Sequence, residues 1–440
     1  MKNIKKIIPH LFVIITFISI SLVYFSPLIE GKEIEAHDTK TWKGISKEVR
    51  DFRDSTGEEA LWTNSLFGGM PAYLVSIQYN ANLVKYISKI LHLGLPRPAN
   101  LLWLYLLGFY ILLLSLKIDY RISAVGAIAF AFSSYFFIII QAGHMTKAHA
   151  IAYLPMVVAS VLYTYRRKIW LGGILTATTV ALQLYANHFQ VSYYTALILF
   201  MIACFELFRA IKSNNLIDFL RRSCVLVIAA LLASGTSITR LMATMEYGKY
   251  SIRGPSELSS DQDNKTSGLD KDYATQWSYG IAETMTLLIP NFYGGASTGS
   301  LTEDSETYKA IKGRVPNAKK FIKNLPLYWG DQPITSGPTY AGSIVIFLFF
   351  IGLFVVKSYM RGWLLLATIL SIMLAWGKNF MFLTELFLDY FPAYNKFRAV
   401  SMILIIAEFT LPLLAFIGLN KFLEGRPVNK LNILKKSFYI

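Results

Sequence analysis

Apolar runs long enough to cross a bilayer recur along this chain, and they constrain its fold more than any other feature. A bilayer core about 30 Å thick requires roughly 20 apolar residues per helix. Of the 440 residues, 54% are hydrophobic and only 16% are charged. Backbone polar groups that meet lipid are satisfied only within helices or closed barrels. The runs therefore predict an all-α integral membrane protein.

The apolar runs alternate with charged breaks and predict about ten transmembrane helices. They cover residues 7–27, 99–117, 122–142, 150–165, 169–187, 191–210, 223–244, 339–356, 362–377 and 399–420. The chain then divides into a first span within 1–27, an outer loop at 28–98, spans two to seven at 99–244, a large outer loop at 245–338, spans eight to ten at 339–420 and a tail at 421–440.

The basic residues predict which side of the membrane each loop faces. The chain has 43 Lys and Arg against 27 Asp and Glu, a formal net charge of +16. Most basic residues of the short loops fall on one side of the predicted bundle. Because cytoplasmic loops carry such an excess, the N-terminus and the tail are predicted to be cytoplasmic, and both long loops outside. The charge thus indicates topology and not nucleic-acid binding.

Two amphipathic segments occupy the first outer loop. The stretch "KTWKGISKEVRDFRD" places Trp42, Ile45, Val49 and Phe52 at spacings of three and four, with charges on the other faces. The stretch "NLVKYISKILHL" repeats the pattern. Basic helices with an apolar stripe are suited to lie in the headgroup layer, so membrane lipids are predicted partners. The alternative is a soluble cap on the bundle.

Asp38 stands between the first span and the first amphipathic segment, in "AHDTKTW". A carboxylate held at that height can reach a lipid-borne substrate and act as a general base toward an acceptor hydroxyl. The alternative is structural, since Asp commonly caps helices and one is predicted to begin near Thr39. The neighbouring Glu residues are interpreted as solvated loop charges.

Basic residues on the predicted outer side are candidates for binding a phosphate. The turn "QAGHMTKAHA" holds His144 and Lys147, and "FPAYNKFRAVSMIL" places Arg398 where the positive-inside trend is broken. A phosphate would account for such cations. The alternatives are that His144 and His149 cap helices and that Arg398 reaches toward headgroups. Two histidines without a neighbouring carboxylate or cysteine are weak evidence for a metal.

The second outer loop contains one candidate sugar contact. In "PLYWGDQPITSGPTYAG", Trp329 and Asp331 combine an aromatic face with a carboxylate, a pairing that suits carbohydrate. Trp329 is equally interpretable as an interface anchor.

Two charged residues within the predicted spans favour a rival function. Glu408 lies near the middle of the last span, and Arg240 is its candidate partner or a further phosphate ligand. Intramembrane carboxylates often mark ion or proton paths. A transporter or flippase is therefore an alternative, although two such residues are few and no internal repeat stands out. A non-catalytic envelope assembly protein is another.

Several motifs together resemble the YfhO family of bacterial multi-pass membrane proteins. They are "AHDTKTW", "LFGGMPAYL", "GHMTKAHAIAYLP", "NHFQVSYY", "ETMTLLIPNFYGG", "YWGDQPITSGPTYAG" and "NKFRAVSMIL". The resemblance runs over nearly the whole chain. Members usually continue with further spans and an outer region, so a chain that ends at "KKSFYI" looks short.

That family is similar to the GT-C glycosyltransferases, and the resemblance implies both a fold and an activity. It implies a GT-C-like bundle in the bacterial inner membrane, with juxtamembrane helices and a catalytic acid in the first outer loop, where Asp38 stands. The implied donor is a polyprenyl-phosphate sugar, and the acceptor is a cell-envelope glycopolymer or protein. The implied phosphate ligands are basic residues. The paired acids of several relatives are missing, which leaves a divalent metal requirement open.

Overall fold

The computed structural model describes residues 2–254, 263–424 and 430–439, so parts of the predicted outer loop at 245–338 and of the tail lie outside the described residues. The described chain is mostly helical. Its α-helices are α1 (Lys2–Tyr24), α2 (His37–Ile45), α3 (Lys47–Thr56), α4 (Val84–Leu91), α5 (Ala99–Ser115), α6 (Tyr120–Ala131), α7 (Ser134–Ala142), α8 (Met145–Arg166), α9 (Ile169–Tyr185), α10 (Phe189–Lys212), α11 (Leu216–Gly235), α12 (Ile238–Gly248), α13 (Lys271–Thr275), α14 (Glu306–Ile311), α15 (Ala318–Ile322), α16 (Ser343–Val355), α17 (Tyr359–Ala375), α18 (Met381–Tyr390), α19 (Ile405–Glu424) and α20 (Lys430–Phe438).

Within the described ranges, four helical segments are long and apolar enough to cross a membrane. They are Lys5–Tyr24, Met145–Arg166, Phe189–Lys212 and Val400–Glu424. Two bent helix pairs raise the number to six if each is one span. The apolar helices α5, α9 and α16 are shorter. The chain is thus an all-α protein with the character of a membrane protein, and the predicted count of about ten spans exceeds the four to six found.

Two predicted spans are interrupted and a third ends at a sharp bend, which the apolar runs did not indicate. The pair α6 and α7 bends by 44°, and α17 followed by Gly377–Tyr390 bends by 114°. The predicted span at 223–244 is also divided, because α11 ends at Gly235 and α12 begins at Ile238. At the sharpest bend Gly377 has φ +51°, and a Cβ there would lie 2.1 Å from Ser278 Oγ. Glycine permits both the left-handed backbone and the close approach.

The segment between α1 and α5, the predicted first outer loop, is folded onto itself. The predicted single amphipathic helix is two helices, α2 and α3, that meet at the buried Ser46. Strand β1 (Trp62–Thr63) pairs antiparallel with β2 (Met70–Pro71). The Glu48 carboxylate on α3 accepts hydrogen bonds from Thr63 Oγ1 at 2.6 Å and Ser65 Oγ at 2.7 Å. These bonds fasten the hairpin to α3.

Helices α8 and α19 form the centre of the bundle. Most residues of both are buried. Gly352 of α16 and Gly418 of α19 meet so closely that a Cβ on Gly418 would lie 2.4 Å from Gly352 Cα. Small residues at such crossings allow two backbones to approach in membrane proteins. Phe109, Phe130 and neighbouring rings fill the space beside α19.

The outer faces of several helices expose large apolar side chains. On α1, Phe12 is 71% exposed, and Leu231 on α11 is 67% exposed, each with apolar neighbours that are also exposed. Soluble monomers rarely expose apolar patches of this extent. A ring of lipid accounts for them, in agreement with the predicted membrane location.

Candidate functional site

One end of the bundle contains a cavity of about 560 Å³ whose lining comes from distant parts of the chain. It includes Asp38 from α2, Lys147 from α8, Gln332 from the segment between α15 and α16 and Arg398 from the turn before α19. His144, His188, Gln190, Arg253 and Trp277 also line it. Four of the six predicted site residues, Asp38, His144, Lys147 and Arg398, therefore lie together.

Asp38 is held beside His144. It lies in the first turn of α2, whose N-cap is Ala36 and not an acidic residue, so the capping interpretation of Asp38 is wrong. His144 Nδ1 lies 2.9 Å from Asp38 Oδ2. An ionised carboxylate can only accept a hydrogen bond, so Nδ1 carries the proton and donates it. This bond leaves Asp38 Oδ1 free, and Asp38 is about half exposed.

Gly143 allows α2 to approach the turn between α7 and α8. Its φ is +94°, and a Cβ there would lie 3.0 Å from Thr39 N, 3.1 Å from Asp38 Cβ and 3.2 Å from Ala36 Cβ. The next residue, His144, is the N-cap of α8, and no side-chain capping bond forms there. The turn therefore positions Asp38 and His144 against each other. No pattern in the sequence indicates this role of Gly143.

Lys147 is a buried cation without a partner among the described residues. Its side chain is 9% exposed, it lines the cavity, and no described carboxylate lies within ion-pair distance of it. It also stands in the first turn of α8, where the helix dipole disfavours a positive charge. An anion in the cavity would offset all three costs.

Arg398 is fixed at the opposite wall by aromatic contacts. Its Nη1 donates to Tyr273 Oη at 2.8 Å, and its guanidinium lies 5.8 Å from the ring centre of Trp277. Its backbone carbonyl accepts from Gln190 Nε2 at 2.8 Å. The helical turn that follows begins at Val400, after Ala399, so Arg398 precedes the helix instead of occupying its first turn.

The ionisable groups of the cavity favour neutral imidazoles and a bound anion. Burial and the neighbouring Lys147 and Arg398 lower the pKa of His144, against the opposing effect of Asp38. Burial, Lys147 and His144 lower the pKa of His188 to about 3. Both rings are therefore neutral at pH 7. Lys147 and Arg398 remain as the cations opposite one carboxylate.

Arg253 is a further cation that the sequence analysis missed. It lines the cavity and donates from Nε to Lys396 O at 3.0 Å. Burial and the nearby Arg398 lower its pKa. Like Arg398, Arg253 is a basic residue on the predicted outer side, and this position in the sequence could have indicated it as a phosphate candidate.

Trp329 and Asp331 lie outside this lining. Trp329 is 79% exposed, and Asp331 accepts from Asn379 Nδ2 at 3.0 Å. The adjacent Gln332 lines the cavity instead. Gln332 donates to Glu283 Oε1 at 3.2 Å and accepts from Ser401 Oγ at 3.2 Å, so its amide is held in one orientation.

Glu408 and Arg240 do not form the ion pair that a transporter path would use. Glu408 is buried in α19 and accepts a hydrogen bond from Ser133 Oγ. Arg240 lies over the ring of Tyr79 at 4.7 Å and donates to Tyr185 O. Neither residue lines the cavity that contains Asp38.

The described residues contain no group of three or more His, Cys, Asp or Glu arranged to hold a metal ion. Asp38 has His144 beside it, and its other charged neighbours in the cavity are cations. These residues suit an anion better than a metal.

No protein-family model, curated protein or solved structure matches the chain.

Proposed function

We propose that this chain is a membrane glycosyltransferase of the GT-C type, which transfers a sugar from a polyprenyl-phosphate donor to a cell-envelope acceptor. The observation that carries the proposal is a single cavity that Asp38 shares with Lys147 and Arg398. A carboxylate with a free oxygen suits the acceptor hydroxyl, and unpaired cations suit the phosphate of the donor. At about 560 Å³ the cavity has the size of a ligand pocket.

The proposed reaction inverts the configuration at the sugar. Asp38 Oδ1 takes the proton of the acceptor hydroxyl while that oxygen attacks the anomeric carbon. A new carbon–oxygen bond forms as the bond from the anomeric carbon to the phosphate oxygen breaks, and the phosphate oxygen keeps the electron pair. Lys147 and Arg398 stabilise this developing charge. His144 orients the carboxylate through the bond from Nδ1.

The proposed topology puts this chemistry on the outer face of a bacterial inner membrane. The proposal has ten spans with both termini in the cytoplasm, where the short loops are rich in Lys and Arg. To the six spans found when each bent pair is one span, it adds α11 and the shorter helices α5, α9 and α16. Short apolar helices are accommodated by local thinning of the bilayer. Nucleotide sugars are made in the cytoplasm, so an outer site requires a lipid-linked donor.

The resemblance to the YfhO family supports the same proposal. The motifs "AHDTKTW", "GHMTKAHAIAYLP" and "NKFRAVSMIL" carry it, and they contain Asp38, His144, Lys147 and Arg398. The residues of these three motifs converge on the cavity.

Gly143→Ala is expected to lower sugar transfer by roughly tenfold to 10²-fold, because the added Cβ displaces Asp38 from its position. The measurement is the transfer rate of the purified protein with a polyprenyl-phosphate sugar. Gly57→Ala is the matched control, since Gly57 also has a positive φ of +75° but nothing lies within 4 Å of the added Cβ. Equal losses in the two variants would mean that backbone strain alone explains the effect.

Deletion of the gene tests the proposal in the cell. The envelope of the deletion strain is expected to lack one sugar residue, and mass spectrometry of its glycans would detect the missing mass. The polyprenyl-phosphate sugar is expected to accumulate, because its consumer is absent. If the protein were a flippase, its deletion would leave the donor on the cytoplasmic face. If it were a non-catalytic assembly factor, its deletion would leave the glycans of the purified acceptor unchanged.

A further inference from the structure

A second and larger cavity, of about 800 Å³, lies beside the first. Helix α8 separates the two: Lys147 lines the first, and Thr146 and His149 line the second. Residues two positions apart on a helix point to opposite sides. The turn between α9 and α10 is shared in the same way, with His188 on one side and Asn187 on the other.

The second cavity is lined by cations and contains no acid. Lys85 and Lys89 come from α4, Arg97 precedes α5 and Arg240 belongs to α12. No Asp or Glu of the described chain lines it, and none forms an ion pair with these four residues there. Like charges that share a cavity without a counter-charge repel each other, so the arrangement costs stability.

Two buried polar atoms at this cavity also lack a partner. They are His92 Nε2 and Asn100 Oδ1, which have no hydrogen bond within the described chain. Burial and the nearby Arg97 lower the pKa of His92, so its ring is neutral at pH 7 and can donate from Nε2. Buried polar atoms are normally satisfied. His92 Nε2 can donate to an anion or to water, whereas Asn100 Oδ1 is an acceptor and requires water or another donor.

Helix α4 places the cavity at the lipid surface. Lys85, Ser88 and Lys89 line the cavity, whereas Leu83 and Ile90 are more than 70% exposed. An amphipathic helix with this division lies in the headgroup layer with its apolar face toward the acyl chains. Its lysines are then at the height of lipid phosphates.

We propose that this second cavity binds a phosphate or diphosphate group through Lys89, Arg97 and Arg240. The inference is independent of the function proposed above, because it concerns binding and uses none of the residues that line the first cavity. The ligand is either a lipid headgroup or a soluble phosphate ester, since both present the same anion.

Hydrogen exchange of the α4 segment tests the proposal. The protein is placed in phosphatidylcholine nanodiscs and titrated with inorganic diphosphate; in a second arm the nanodiscs contain phosphatidic acid. Binding is expected to slow exchange in residues 84–97. Protection by diphosphate without protection by phosphatidic acid identifies a soluble ligand, and protection by phosphatidic acid identifies a lipid headgroup. If neither slows exchange there, the proposal is wrong.

A double variant assigns the binding to the cavity. Lys89→Gln with Arg97→Gln is expected to raise the ligand concentration at half-maximal protection by at least about tenfold, because charged hydrogen bonds are lost. Both side chains are exposed, so the fold is retained. Lys43→Gln with Lys47→Gln removes two exposed charges of the same loop and should leave the midpoint unchanged. An unshifted midpoint in the first pair would overturn the assignment.

The two proposals fail separately. Asp38→Asn alters the first cavity alone and is expected to leave the protection of residues 84–97 intact. A chain that transfers sugar normally but shows no protection would refute the second cavity only, whereas an inactive chain with normal protection would refute the first.

Discussion

Asp38→Asn is expected to lower the rate of sugar transfer by roughly 10²- to 10⁴-fold, the contribution of a general base. The amide has the shape of the carboxylate, and its oxygen can still accept the hydrogen bond that His144 Nδ1 donates over 2.9 Å. It cannot take a proton from the acceptor hydroxyl. The variant should therefore fold and bind donor normally but fail in the chemical step.

The measurement is single-turnover transfer by purified protein from a polyprenyl-phosphate sugar, with donor binding measured in parallel. Asp54→Asn is the matched control, because Asp54 is an exposed carboxylate on α3, in the same segment between α1 and α5. It should retain full activity. A normal rate for Asp38→Asn would remove the proposed base, and loss of donor binding together with the rate would indicate a structural role for Asp38.

The convergence of distant motifs was the part of the site that the sequence could predict. Asp38, Lys147 and Arg398 are charged residues on the predicted outer side, each close to the end of a predicted span. Helices that cross a bilayer bring their ends on one side to the same level. Charged residues at those ends are therefore expected to lie close together. The cavity contains all three.

The residues that position the site were harder to predict from the sequence. Gly143 acts by lacking a side chain against α2, and such a contact exists only after two distant segments have packed. Trp329 and Asp331 were chosen by chemical type alone, and the chain turns between Asp331 and Gln332 so that the amide of Gln332 lines the cavity. Residue type indicates chemistry, but loop geometry decides which neighbour is used.

The breaks in the helices were likewise invisible in the hydropathy. The run at 122–142 is apolar enough to predict one span in spite of Ser133 and Ser134 at its middle. Ser133 divides it into α6 and α7, and its hydroxyl donates to the buried Glu408. The break lets the Ser133 hydroxyl form a hydrogen bond with the Glu408 carboxylate, which lipid could not provide. Apolar composition predicts that a segment is buried in lipid or protein, and specific polar contacts determine where it bends.

Lys147→Met is expected to raise the temperature of unfolding and to weaken donor binding by roughly 10- to 150-fold. The native ammonium is buried, unpaired within the described chain and placed at a helix N-terminus, so an apolar side chain of similar length removes three unfavourable terms. The same change removes the cation proposed to bind the donor phosphate. Thermal unfolding in nanodiscs and the concentration dependence of transfer would measure the two effects.

Lys271→Met is the matched control, because Lys271 is also largely buried but has a partner, Glu385 Oε1 at 3.0 Å. Its loss leaves a carboxylate without its cation, so the unfolding temperature should fall or stay constant while donor binding is unchanged. A structural lysine at position 147 would behave in the same way. Opposite signs of the two stability changes, with a binding defect in Lys147→Met alone, would mean that Lys147 is retained for a ligand at the expense of the fold.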